Sequence, residues 1–157
     1  MSAFTIRPAV AGDEHALFEL IRALAAYERL SDGVRGSAEA LGRHLFGDGG
    51  AGQRPWAEAL LAHQGTTPIG FALFFPNYST FLTRPGIYLE DLFVLESHRR
   101  LGVGRALLAE VRRIAEARGA GRLEWSVLDW NTSAIDFYRR LGADILPDWR
   151  ICRIVLV

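Results

Sequence analysis

Two adjacent carboxylates stand inside an apolar run, Tyr88-Leu89-Glu90-Asp91-Leu92-Phe93-Val94. Side chains alternate across a strand, so regular geometry puts Glu90 on the face of Tyr88 and Leu92, and Asp91 on that of Leu89 and Phe93. A buried, unpaired carboxylate is costly, and burial raises its pKa toward the range useful to a general base. A strand end or a neutralising arginine explains one such acid; two within an apolar run weigh toward function. The next segment is Arg99-Arg100-Leu101-Gly102-Val103-Gly104, directly ahead of an amphipathic pattern. Glycines allow close backbone approach, successive N–H groups form an anion-binding nest, and a helix start adds free N–H groups and a positive dipole end. Together they suit a phosphate or pyrophosphate, although an ordinary glycine turn is the commoner meaning of a lone G-x-G. The third segment is Asp129-Trp130-Asn131-Thr132-Ser133-Ala134-Ile135-Asp136-Phe137-Tyr138. Ser133 followed by Asp136 resembles a capping box, and Ala134, Phe137, Tyr138 and Leu141 share one apolar face. On spacing alone Tyr138 is a core aromatic whose hydroxyl finds a partner.

Other chemistries fit less well. The stretch Gly102-Val103-Gly104-Arg105-Ala106-Leu107 lacks the third glycine of a dinucleotide fingerprint, although Glu124 lies 20 residues beyond Gly104. Seven residues, Leu95 to Leu101, also separate Val94 from the first glycine, whereas that fingerprint follows its strand closely. No Gly-Lys-Ser/Thr occurs, which excludes a Walker-type loop. His15, His44, His63 and His98 have no paired-ligand spacing, so no metal site is expected. Cys152 alternates with Ile151 and Arg153 and is expected to be packed rather than reactive. No G-x-S-x-G elbow appears, and Arg112, Arg113 and Arg118 read as a solvated helix face.

These segments need a scaffold, and the chain is long enough to supply one. Its 157 residues are 50% hydrophobic and 23% charged, with 18 basic and 18 acidic side chains, which predicts one folded domain over 1–157. Zero net charge argues against a nucleic-acid binder. No apolar run approaches the roughly 20 residues that span a bilayer, and Met1-Ser2-Ala3-Phe4-Thr5 is not a signal-peptide start, so a cytoplasmic protein is expected. Phe4 to Arg7 reads as a first strand, Asp13 to Leu30 as a helix and Ser37 to Phe46 as a second. Gly47 to Gly52 reads as a glycine-rich loop. Strands follow at Trp56–Ala62, Ile69–Phe75 and Ile87–Val94, then a helix from Gly104 to Arg118. Leu123–Leu128 is a strand, Ser133–Leu141 a helix and Trp149–Val157 a final strand. The order β-α-α-β-β-β-α-β-α-β predicts a mixed sheet covered by helices, in the α/β or α+β class.

Taken together, the three segments resemble the GNAT N-acetyltransferases, which use acetyl-coenzyme A, and the resemblance covers nearly the whole chain. Arg99 to Gly104 matches that family's Q/R-x-x-G-x-G/A loop. Within the family the chain looks like the diamine branch, the spermidine/spermine and thialysine N-acetyltransferases, through Ala26-Tyr27-Glu28, Tyr88 to Val94, and Trp130-Asn131 with Phe137-Tyr138. Asn77-Tyr78-Ser79-Thr80-Phe81 looks more like the thialysine and bacterial members. Arg100 stands where the branch often has glycine, Pro76 where many relatives have histidine, and Asp148-Trp149 is all that remains of an acidic stretch.

The resemblance implies a GNAT-like sheet, a homodimer and direct acetyl transfer to a primary amine of a small di-cation or a lysine-like amino acid, with neither metal, nucleic acid nor membrane. It implies that Leu92, Phe93 and Val94 line the coenzyme's pantetheine arm. N–H groups of Arg100, Leu101, Gly102, Val103, Gly104 and Arg105 would hold the pyrophosphate, with Arg99, Asn131, Ser133 and Ala134 beside the coenzyme. Glu90 would take the ammonium proton through a water. Tyr138 would give a proton to the departing thiolate, which a neutral phenol can do. Tyr27, Glu28, Glu90, Asp91 and Asp148 would meet the cationic substrate. An acceptor at a peptide or protein N-terminus, another amine, or a non-catalytic coenzyme-A-binding module are the competing expectations.

Overall fold

The computed structural model describes residues 3–47 and 54–157; most of the expected loop Gly47–Gly52 therefore lies outside the described residues. The chain forms two units, Met1–Trp125 and Ser126–Val157. Among the described residues, no helix is long and apolar enough to cross a membrane.

The first unit holds β1 (Thr5–Pro8), α1 (Glu14–Tyr27), α2 (Ala38–Phe46), β2 (Glu58–Gln64), β3 (Thr67–Ser79), β4 (Arg84–Val94), α3 (Val103–Ala117) and β5 (Leu123–Glu124). The sheet order is β1-β2-β3-β4-β5. The first four strands run antiparallel to their neighbours and β5 joins β4 in parallel. Sequence neighbours pair directly until β4; reaching a parallel partner then requires a crossover, which α3 supplies.

Alternation along the strands divides the core between the sheet's faces. On one face Leu17 and Leu20 of α1 and Leu45 of α2 pack with Ala59, Leu61, Phe71, Leu73 and Phe93. Leu60, Ala72, Phe74 and Leu89, buried as well, alternate with or stand across from these. The apolar stripe of α3, with Val103, Leu107, Val111 and Ala115 buried, packs against β2, β3 and β4. Arg118, just past α3, donates to both carboxylate oxygens of Glu58 on β2 at 2.6 and 2.8 Å. The other two arginines behave as a solvated face, Arg112 with Glu116 and Arg113 with Glu110.

Helix starts follow local chemistry. Ser37 caps α2 by accepting from the Ala40 N–H, and Arg7 of β1 holds Asp13 ahead of α1 through two hydrogen bonds of 2.6 and 2.9 Å. That pairing holds the Asp13 carboxyl below its usual range. β3 runs past the expected end at Phe75, because Asn77, Tyr78 and Ser79 continue the ladder opposite Gly86, Pro85 and Arg84. β5, expected to reach Leu128, stops at Glu124.

The second unit holds α4 (Thr132–Arg140). Its cap is Asn131, whose Oδ1 accepts from the Ala134 N–H at 3.2 Å, not the Ser133 of the expected capping box. With helical backbone beginning at Thr132, Ser133 is the second helical residue, two positions too late to cap. Gly142, at φ +86°, ends the helix as its position predicts. Beyond it, 143–157 contains neither helix nor strand, so the expected final strand is absent. Alternating apolar residues favour a strand only where a neighbouring backbone completes the ladder. Without one, Ile154 and Leu156 are 86% and 89% exposed. Cys152, expected to be packed there, is exposed for the same reason.

Ahead of α3 the backbone bends through two left-handed residues, Arg100 at φ +64° and Gly102 at φ +84°. Glycine adopts that region without steric cost, whereas an L side chain there costs about 1 kcal/mol or more. Arg100 is thus accommodated under strain. Arg100→Gly should raise stability by about 1 kcal/mol, partly offset by unfolded-chain entropy, which thermal denaturation will read as a Tm increase of roughly 2–4 °C.

Candidate active site

The open side of β4 is the first feature of the site. β5 pairs with β4 only at Ile87↔Leu123 and Tyr88↔Glu124. From Leu89 to Val94, β4 keeps its ladder with β3, while no strand among the described residues lies along its other edge. Backbone N–H and C=O groups on such an edge accept an extended partner as an added strand. Leu92, Phe93 and Val94 lie on this stretch. The Val94 carbonyl already accepts one hydrogen bond, from Arg99 Nε at 3.1 Å.

The second feature is a register shift. Asp91 stands opposite Leu73 and Leu89 opposite Phe74, so Glu90 is an extra residue in β4. A bulge of this kind re-aims the side chains on either side of it. Asp91 joins Leu73, Phe71 and Phe93 on the α1 face, while Leu89 goes to the other face with Phe74. Regular alternation would have kept Asp91 and Leu89 together; the extra residue separates them. Glu90 itself is exposed and Asp91 is mostly buried.

Asp91 bears the electrostatic consequence. Burial, then the neighbouring charges of Glu90 and Glu28, push its carboxyl up to about 7. Glu28, immediately after α1, is also raised by burial. It sits at the negative end of the helix dipole, an unfavourable place for an anion. Among the described residues none of these three carboxylates forms an ion pair with an arginine, lysine or histidine. The neutralising arginine that would make Glu90 and Asp91 a structural pair is therefore missing. The structure thus brings Tyr27, Glu28, Glu90 and Asp91 to one end of α1 and the middle of β4.

The third feature is the turn into α3. Gly102 C=O accepts from the Ala106 N–H, so the N–H groups of Val103, Gly104 and Arg105 precede the first intrahelical donor. With the exposed Arg100, Leu101 and Gly102 before them, they form a glycine-rich corner, in which the Val103 side chain is buried; free N–H groups at a helix start of this kind suit an anion. Arg99 is tied back into the fold: its guanidinium carbon lies 4.2 Å from the Tyr27 ring centroid and 5.8 Å from that of Phe93. Local spacing did not reveal this contact, because Tyr27 and Arg99 come from distant segments.

The remaining expected residues belong to the second unit. Asn131 spends Oδ1 on capping α4, with Ser133 and Ala134 in its first turn. Tyr138 is buried, with its ring centroid 5.3 Å from that of Phe137. Asp148 is exposed in the irregular 143–157 run.

The acetyltransferase (GNAT) family model matches residues 21–143. A thialysine N-epsilon-acetyltransferase of Bos taurus is 38% identical over 156 residues, covering 94% of this chain and 88% of that protein. An L-ornithine N5-acetyltransferase of Arabidopsis thaliana is 51% identical over 85 residues; the match spans 54% of this chain and only 37% of that relative. Among solved structures, an aminoglycoside acetyltransferase from an uncultured soil metagenomic sample superposes with a TM-score of 0.80 at 18% identity, over 98% of this chain and 97% of that one. At that identity it speaks for the fold alone. With its family model spanning most of both units and a relative aligned over nearly the full length, the chain belongs to the acetyltransferase (GNAT) family and is an N-acetyltransferase.

Proposed function

We propose that this enzyme moves an acetyl group from acetyl-coenzyme A to a primary amine of a small di-cationic amine or a lysine-like amino acid. The observation that carries the acceptor class is the group of three uncompensated carboxylates, Glu28, Glu90 and Asp91, at the end of α1 and the bulge of β4. Such a group is costly by itself and is relieved by a ligand bringing positive charge. The thialysine and ornithine enzymes among the relatives act on amines of this kind by name. A cytoplasmic homodimer with one acetyltransferase domain over 1–157 completes the reading. The dimer is supported by the branch resemblance and by the exposed Ile151, Ile154, Val155 and Leu156, and the cytoplasmic location by the lack of a signal-peptide pattern at Met1 to Thr5.

The roles follow ordinary site chemistry. The free edge at Leu92 to Val94 receives the pantetheine arm, and the N–H groups of Arg100 to Arg105 meet the pyrophosphate. Asn131, Ser133 and Ala134 at the start of α4 orient the same arm. An alkylammonium with pKa near 10.4 has no lone pair to attack with until a proton leaves. Glu90 and Asp91, the latter's carboxyl pushed up to about 7 by burial and by the charges of Glu90 and Glu28, take that proton, directly or through a water. The amine nitrogen then forms its bond to the thioester carbon, the carbon–sulfur bond breaks, and Tyr138 protonates the leaving thiolate. Glu28, with Tyr27, and Asp148 meet the distal cation.

Each role has a measurable consequence. In the free enzyme kcat/KM should rise through about pH 7 as Asp91 loses its proton. Asp91→Asn should remove that limb. Glu90→Gln should lower kcat/KM and move the limb to lower pH, because the charge it removes is one cause of the raised value. An unaltered pH profile in both variants would remove the pair as the base. Tyr138→Phe should reduce kcat by about 10²-fold, within the span of general acid catalysis, and unimpaired turnover would leave Tyr138 as a core residue. Glu28→Gln should raise KM for a diamine about tenfold and for a monoamine little, as expected for loss of roughly 1.4 kcal/mol of charge pairing. Steady-state assays of coenzyme A release over spermidine, putrescine, thialysine, lysine, a monoamine and a short peptide will read all four variants, and a peptide leading that panel would replace the acceptor class.

A further inference from the structure

Arg99 joins three parts of the first unit. Its Nε donates to the Val94 carbonyl at 3.1 Å, its guanidinium carbon stands 4.2 Å from the Tyr27 ring centroid, and the Phe93 ring lies 5.8 Å away. The Nε bond fixes the plane of the guanidinium group, and the aromatic faces hold its charge through their quadrupoles. Among the described residues no carboxylate pairs with it, so that charge stays uncompensated. The next residue, Arg100, is left-handed, and from it the chain turns into the start of α3, whose first N–H groups have no intrahelical acceptor. Arg99 thus ties the segment that leads from the end of β4 to the left-handed Arg100 back onto the Val94 carbonyl and the Tyr27 ring.

We infer that Arg99 is a positioning residue that seats the donor loop against the end of α1, and that Tyr27 acts on donor binding through it. Tyr27 was expected to meet the amine, as its neighbour Glu28 does. Its ring also faces the Arg99 guanidinium, so the end of α1 serves two substrates: the amine through Glu28 and Tyr27, and the donor through the support that Tyr27 gives Arg99. The inference rests on the proposed reading that the 100–105 loop holds the coenzyme's pyrophosphate.

The test is calorimetric titration of coenzyme A, which needs no acceptor, into the wild-type chain, Tyr27→Phe, Tyr27→Leu, Arg99→Gln and the double variant Tyr27→Leu/Arg99→Gln. Phenylalanine keeps the ring and should bind within about twofold of wild type. Leucine fills space without a quadrupole and should weaken binding by about 5–10-fold, in line with a partly desolvated cation–π contact. The double variant should bind no more weakly than Arg99→Gln, because the two residues act as one device. In turnover, Tyr27→Leu should raise KM for acetyl-coenzyme A more than KM for the amine, which a merely structural loss would not single out. Wild-type affinity in Tyr27→Leu, or losses that multiply in the double variant, would overturn the inference. A wild-type chain that binds coenzyme A but acetylates no amine in the panel would sink the acceptor class while this binding pattern is still read. A wild-type chain that does not bind coenzyme A would overturn both.

Discussion

The extra residue at Glu90 is the constraint on which the rest of the site depends. Without it β4 would alternate evenly, and Asp91 would share a face with Leu89, whose fully buried side chain stands opposite Phe74. The bulge turns Asp91 toward α1 and leaves Glu90 exposed beside it. One shift in register thus produces two carboxylates in different environments, and it places the more buried one within reach of a third, Glu28. Differing environments for neighbouring acids are how proteins separate proton-handling roles.

This arrangement works against stability. A carboxyl raised to about 7 from an ordinary value near 3.8 binds its proton more tightly folded than unfolded. Its contribution therefore favours folding at low pH, declines as pH rises from about 4 to about 7, and is fully unfavourable above that. The well-packed face around Leu17, Leu61, Phe71 and Phe93 tolerates it. Strain at Arg100 is a second local cost in the same unit, and it too lies where the chain must present backbone N–H groups rather than pack.

Both features were partly legible. Glu90 and Asp91 stand out in the sequence as charges inside an apolar run, and Arg99 to Gly104 as glycines ahead of a helical stripe. What stayed hidden was non-local. The bulge is a property of the ladder between β3 and β4, and nothing in the residues around Glu90 marks it as the extra one. The approach of Arg99 to Tyr27 depends on how α1 and the end of β4 meet. The final strand failed for a related reason: Trp149 to Val157 has the right alternation, but alternation describes two faces and says nothing about the backbone partner a strand needs.

By itself, then, the sequence determined the order of helices and strands up to α4 and the segments that carry chemistry. Helical and strand periodicity, glycine placement and the cost of burying charge are local effects, readable in a short window. Tertiary structure alone decided which face Asp91 occupies, how far β5 follows β4 and what Arg99 rests on. Each is settled by backbone register or by the meeting of distant segments, where hydrogen bonds and packing are completed by residues that the local pattern does not contain.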